Sequence, residues 1–140
     1  MKLKRIDNMD ILTPDVQRLV DFYHGLLGLD FYLPYEADEE WAAIDCGNLT
    51  LYIFKTESAA EHEPRRTAVN LEDPPGMDSF AFEVEDLDEA QAHLDGKVDW
   101  AYQQIITWEH PSGTWYRYRP FFDPDGNMLY ITEPHKAAKA

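Results

Sequence analysis

The 140 residues of this chain read as two copies of one plan, and few folds satisfy that. Laid on itself at an offset of 71, Asn8 meets Ser79, Ile11 meets Phe82, Asp15 meets Asp86 and Val16 meets Leu87. Near the ends of the copies, Gly47-Asn48-Leu49-Thr50-Leu51-Tyr52-Ile53 parallels Gly126-Asn127-Met128-Leu129-Tyr130-Ile131, with one extra residue in the first. Self-similarity at a fixed period must be recognised before any motif is weighed, because a repeat that is missed misassigns the whole fold.

Each copy reads strand–helix–strand–strand–strand. In the first, Met9 and Ile11 alternate with polar neighbours as in a half-buried strand. Thr13-Pro14-Asp15 then reads as a helix start, with Thr13 as cap, Pro14 at the first helical position and Asp15 at the positive end of the dipole. Val16, Leu19, Val20, Tyr23 and Leu27 follow at helical spacing until Gly28. Strands are expected at 29–33, 41–45 and 49–54. In the second copy a strand is expected at 78–84, with Phe80, Phe82 and Val84 on one face and Ser79, Ala81 and Glu83 on the other. Asp86-Leu87-Asp88-Glu89 is a capping box opening a short helix that ends at Gly96. Further strands are expected at 98–106, 114–121 and 128–132, with the turn Asp123-Pro124-Asp125-Gly126-Asn127 before the last. The expected class is α+β: two tandem βαβββ modules forming a cupped mixed sheet with helices on its convex side. Module one covers about 4–56, a polar connector about 57–77 and module two about 78–134, within a single domain 1–140.

Charge and composition narrow the function. Against 12 Lys and Arg stand 27 Asp and Glu, a net charge of −15. Residues 1–70 hold 7 basic and 13 acidic side chains and residues 71–140 hold 5 and 14, so the acidity belongs to the whole body. Such a surface repels phosphates and argues against nucleic acid. It serves solubility, or a preference for neutral or cationic ligands. No apolar run approaches the ~18 residues of a membrane helix, and the start lacks the apolar stretch of a signal peptide. One cysteine, Cys46, forms no internal disulfide and no cysteine-cluster zinc site. The expected location is the cytoplasm, away from membranes.

Leu19-Val20-Asp21-Phe22-Tyr23 with Leu26-Leu27-Gly28-Leu29 resembles the first-helix signature of the vicinal oxygen chelate superfamily, which includes glyoxalase I, bleomycin-resistance proteins and extradiol dioxygenases. Phe82-Glu83-Val84-Glu85-Asp86-Leu87-Asp88-Glu89-Ala90 resembles the start of its second module. Phe122–Asn127 with Leu129-Tyr130-Ile131 resembles its final turn and strand, so the likeness spans about residues 4–134. The resemblance implies the fold above, commonly paired as homodimers. In the enzymes it implies a divalent metal held by His or Glu from the first and last strand of each module. Those positions fall here at Asn8, Tyr52, Ser79 and Tyr130. An amide, a serine and two neutral phenols are poor ligands for zinc, nickel or iron, so no metal and no cofactor is expected.

Other residues offer little to rebuild a metal site. His24 and His93 fall in the two helices, His62 in the connector, His110 in a loop and His135 beyond the last strand, with no metal-binding spacing among them. Glu83 and Asp10 face the cup by strand alternation and are the two candidates for a general acid or base. Cys46 reads as a small buried hydrophobe without an activating base. What remains is aromatic. Asn8, Tyr52, Phe54, Ser79, Tyr130, Trp115, Tyr116 and Tyr118 are the candidate ligand-binding residues, the composition of an organic-ligand pocket. Along 115–119, Tyr116 and Tyr118 share one face while Trp115, Arg117 and Arg119 share the other. Inward arginines suit an anionic group; inward tyrosines suit a flat or cationic ligand. The expectation is a metal-independent protein binding an aromatic or cationic small molecule in the cup. The alternatives are a lyase, isomerase or dioxygenase with a displaced metal site, and a purely structural or partner-binding module.

Overall fold

A strand with one apolar face needs a helix to cover it, and each module begins by supplying both. The computed structural model describes residues 1–61, 63, 65 and 70–138. Its contacts gather into two units, Met1–Glu61 and His62–Ala140. The architecture is α+β, with two mixed sheets built from βαβββ-like modules.

In the first unit, β1 (Asn8–Thr13) buries Ile11 and Thr13 beneath a helical segment. Asp15, not Thr13, caps that segment: its carboxylate accepts from the Arg18 N–H at 3.1 Å, while the Thr13 hydroxyl accepts from the Asp15 N–H. The reason is local: the helix begins at Val16, which leaves Thr13 two positions ahead of the cap, with Pro14, which has no N–H, between them. Helix α1 (Val16–Val20) widens into a π-type turn over Asp21–Leu26, closed by Leu27 N–H donating to the Phe22 carbonyl at 2.9 Å. The wider turn turns Phe22 and Tyr23 both inward, beside Leu19 and Val20. Residues 29–33 do not form the expected strand. Leu29 N–H is taken by the Tyr23 carbonyl, and Phe31 stacks on His24 at 4.1 Å and makes one bridge to Ile44. β2 (Trp41–Asp45) and β3 (Thr50–Lys55) pair antiparallel, and β3 pairs in parallel with β1, giving the order β1-β3-β2. Gly47, at φ 85°, makes the turn between them and donates to Asp45 Oδ1.

In the second unit, β4 (Phe80–Glu83) leads to Asp86, whose carboxylate caps α2 (Leu87–Leu94) through the Glu89 N–H at 3.1 Å. Leu87 and Leu94 are buried, and with Leu129, Ile131 and Phe121 they make the core. The strand expected at 98–106 is two: β5 (Asp99–Trp100) and β6 (Ile106–Glu109). Between them the chain leaves the ladder because Arg119 takes its carbonyls, donating to Tyr102 at 3.0 Å and Gln103 at 3.1 Å. β7 (Trp115–Phe122) pairs antiparallel with β5, β6 and β8 (Met128–His135), and β8 pairs in parallel with β4. The turn into β8 closes on Asp123, whose carboxylate accepts from the N–H groups of Asp125 and Asn127 and from the Asn127 amide.

Candidate functional site

Alternation along β7 and β8 sorts the side chains of the second sheet onto two faces. Leu129, Ile131 and Glu133 face α2, whose Leu87 N–H donates to Glu133 Oε2 at 2.8 Å. Arg117 and Arg119 share that face. Arg117 reaches Asp88 at 3.1 Å and Glu133 at 3.2 Å. Arg119 donates to Gln91 Oε1 at 2.8 Å and lies 4.0 Å over the Trp100 ring. The opposite face holds Tyr116, Tyr118, Tyr130 and Thr132. Together with Ala81 of β4 and Trp108 of β6 they line a cavity of about 260 Å³. The register makes this wall: Ala81 lies beside Tyr130, Trp108 beside Tyr116, and Tyr118 beside Thr132.

The cavity is electron-rich and carries no basic side chain in its lining. Trp108 and Tyr116 stand 5.7 Å apart at 60°, and Tyr118 and Tyr130 stand 5.2 Å apart at 44°. Burial pushes both the Tyr118 and Tyr130 phenols above the ordinary tyrosine value, and the Asp78 carboxylate pushes Tyr130 further. Both therefore stay protonated at neutral pH and are hydrogen-bonding walls, not bases. Just before β4, the Ser79 hydroxyl donates to Asp78 Oδ2 at 2.8 Å. Arg65 is buried, with Nε 3.7 Å from Asp78 Oδ1, and donates to the carbonyls of Pro74 and Met77.

The other candidates divide. Tyr116, Tyr118 and Tyr130 line the cavity, while Trp115 faces away and stacks on His135 at 3.9 Å and 8°. Ser79 lies on the Ala81 face, two residues before it, and Glu83 lies two residues after it, opposite Thr132. In the first unit, Asn8, Asp10, Tyr52 and Phe54 share the sheet face opposite the helix. There the Asn8 amide donates to Asp10 at 2.8 Å, and Tyr52 stacks on Phe54 at 5.8 Å. Cys46 is half-buried, and burial pushes its thiol up to about 11, so it is not a nucleophile at neutral pH. His62 lies outside the described residues. His24 donates to the Leu29 carbonyl, His110 bonds Ser112, and His135 pairs with Glu133 at 2.7 Å. Ala81, Trp108 and Thr132 were absent from the candidate residues; alternation from Tyr130 and Glu83 finds the first and last, but the break that places Trp108 has no sequence signal.

The positions Asn8, Tyr52, Ser79 and Tyr130 do not fit a divalent ion. The Asn8 amide and the Ser79 hydroxyl are both engaged by neighbouring carboxylates, and Tyr130 is held protonated. Among the described residues no three His, Cys, Asp or Glu side chains converge into a group that could hold one. No helix among them is long and apolar enough to cross a membrane.

Comparison with known proteins agrees with the topology. The profile of the glyoxalase/bleomycin resistance protein/dioxygenase superfamily matches residues 5–131. No curated protein matches the chain. Among solved structures, a glyoxalase/dioxygenase from Nostoc punctiforme superposes with a TM-score of 0.71 at 19% identity, covering 95% of this chain and 92% of that one. A glyoxalase family protein from Enterococcus faecalis gives 0.61 at 26%, covering 95% and 100%. A lactoylglutathione lyase from Agrobacterium tumefaciens gives 0.61 at 22%, covering 94% and 95%. At such identities a shared fold carries no shared substrate.

Proposed function

The chain belongs to the glyoxalase/bleomycin resistance protein/dioxygenase superfamily, and from there we propose that it is a metal-independent binding protein for a small aromatic or cationic organic molecule. The observation that carries this reading is the cavity of about 260 Å³ walled by Trp108, Tyr116, Tyr118 and Tyr130. Ligand sites are concave, mostly apolar and lined by aromatic rings with a few polar groups that fix orientation. Here the polar groups are three phenols and the Thr132 hydroxyl. At this volume the occupant is one or two rings in size.

The same reading places the protein in the cytoplasm as a homodimer without nucleic-acid or membrane partners. Supporting it are the net charge of −15, the single cysteine and an outward apolar row of Leu12, Phe54 and Trp41 on the first sheet. Light scattering of the purified protein checks the dimer.

The test of function is a thermal-shift screen of one- and two-ring compounds, run beside elemental analysis of the protein as purified. A ligand at 100 times its Kd stabilises by about 2.7 kcal/mol, which displaces the melting transition measurably. Stoichiometric zinc, nickel, manganese or iron in the purified protein overturns metal independence. A screen in which no compound shifts the transition overturns the binding reading.

A further inference from the structure

We propose that this cavity selects organic cations, of the weakly hydrated kind whose charge is spread over an amidinium plane or methyl groups, and that Asp78 and Ser79 set the preference. The inference rests on the binding reading above and deepens it from a ligand shape to a ligand charge.

Three observations lead there. First, the wall is made of π-faces. Two tilted ring pairs, Trp108 with Tyr116 and Tyr118 with Tyr130, present rings at different angles around one space. Ring faces are the negative part of the aromatic quadrupole and attract a cation most where water is excluded. Second, the strand that supplies two of those rings turns its own cations away. Arg117 is held by Asp88 and Glu133, and Arg119 by Gln91, two carbonyls and the Trp100 ring. The lining itself offers an entering anion no positive charge.

Third, the end of the wall at Tyr130 is negative. Asp78 and Ser79 lead into β4 beside Tyr130: after burial, the Asp78 carboxylate is the next influence raising the Tyr130 phenol, and Ser79 hydrogen-bonds that phenol. The one hydroxyl proton of Ser79 is committed to Asp78 Oδ2 at 2.8 Å, which leaves Ser79 lone pairs as acceptors. Thr132 is likewise committed, donating to the Arg117 carbonyl at 3.5 Å. Arg65 pairs with Asp78 at 3.7 Å, with its terminal nitrogens bonded to the carbonyls of Pro74 and Met77. Glu83, beside Thr132 on the same face, is a second carboxylate along β4. The body charge of −15 adds a long-range field of the same sign.

Benzamidinium, benzamide and benzoate test the idea, because they share one ring and one shape and differ in charge. Each is titrated into the purified protein and followed by tryptophan fluorescence. The expected order is benzamidinium tightest, by about tenfold over benzamide, with benzoate weakest. Asp78→Asn is expected to narrow the benzamidinium-to-benzamide ratio while leaving benzamide unchanged, and Asp78→Glu to restore it. Ser79→Ala leaves the Arg65 pair in place, so it reports even if Asp78→Asn does not fold, and it is expected to narrow the ratio less. Equal binding of benzamide and benzamidinium, or benzoate binding tightest, overturns the charge preference while the binding reading stands. Silence from all three overturns the binding reading, and the preference falls with it.

Discussion

In the first module, the sheet face opposite the helix carries Asn8, Asp10, Leu12, Tyr52 and Phe54, with Leu12 65% and Phe54 37% exposed. In the second, the corresponding face carries Tyr116, Tyr118, Tyr130 and Thr132 around a cavity. The closing strands are near-copies, Leu51-Tyr52-Ile53 and Leu129-Tyr130-Ile131. What separates the two faces is the edge: among the described residues the first sheet has three strands and the second five, and of the added two β6 pairs with β7 and stands Trp108 beside Tyr116. A duplicated scaffold therefore gains a cavity through an edge, not through its repeated motifs. The lesson is that the repeat predicts the frame and the departure from the repeat predicts the site.

The largest effect that tests this comparison lies in the cores. Leu51 and Leu129 occupy matching places and are almost fully buried. Leu51→Ala and Leu129→Ala are each expected to cost about 2–5 kcal/mol, read from urea denaturation. A loss in only one of the two breaks the equivalence of the modules. Next come the two aromatic residues that differ in role. Trp108 is 47% exposed and Trp41 37%, so either substitution by Ala changes stability modestly. Only Trp108→Ala is expected to weaken ligand binding, by at least about tenfold, in the fluorescence or thermal-shift assay. Equal weakening by Trp41→Ala removes the distinction between the faces.

The helix caps provide a smaller, symmetric check. Asp15 and Asp86 each accept a backbone N–H at 3.1 Å three residues on, and Asp→Ala at either is expected to cost about 1 kcal/mol. The smallest effect is an asymmetry in pH. Lys55 and Glu133 occupy matching places in the two copies. The Leu87 N–H, then His135 and Arg117, hold the Glu133 carboxyl down at about 2, below its ordinary 4.5. Its contribution is therefore complete above the ordinary value and is lost as pH falls from there through about 2. Glu133→Gln is expected to flatten the acid limb of the stability curve, whereas Lys55→Gln leaves it unchanged.

Much of this frame was legible in the chain. The offset pairs, the Gly-Asn turns and the capping box at Asp86 led to the modules and the family because they depend on local backbone chemistry, whereas the first cap reads as Thr13 and lies at Asp15. Three things were not legible, each for a tertiary reason. The strand at 29–33 is absent because the wide π-type turn and the His24 stack use those residues. The strand at 98–106 is broken because a buried arginine sixteen residues on takes the carbonyl of Gln103. Trp108 is missing from the wall expected from the sequence because its place depends on that break. Alternation along 115–119 did state the choice between arginines and tyrosines, but only packing against α2 decides it.

Each module closes by pairing its first strand in parallel with its last, Asn8 with Thr50 and Phe80 with Leu129. That arrangement bears on biosynthesis. The two closing strands share Leu-Tyr-Ile, so each opening strand is offered two similar partners when both copies are present. Synthesis from the N-terminus removes the ambiguity. Residues 50–55 leave the ribosome before residues 128–135 are made, so β1 meets its own partner while the rival is unmade. Refolding from denaturant, where both copies are present at once, lacks this protection and is expected to be slower and less complete than folding during translation.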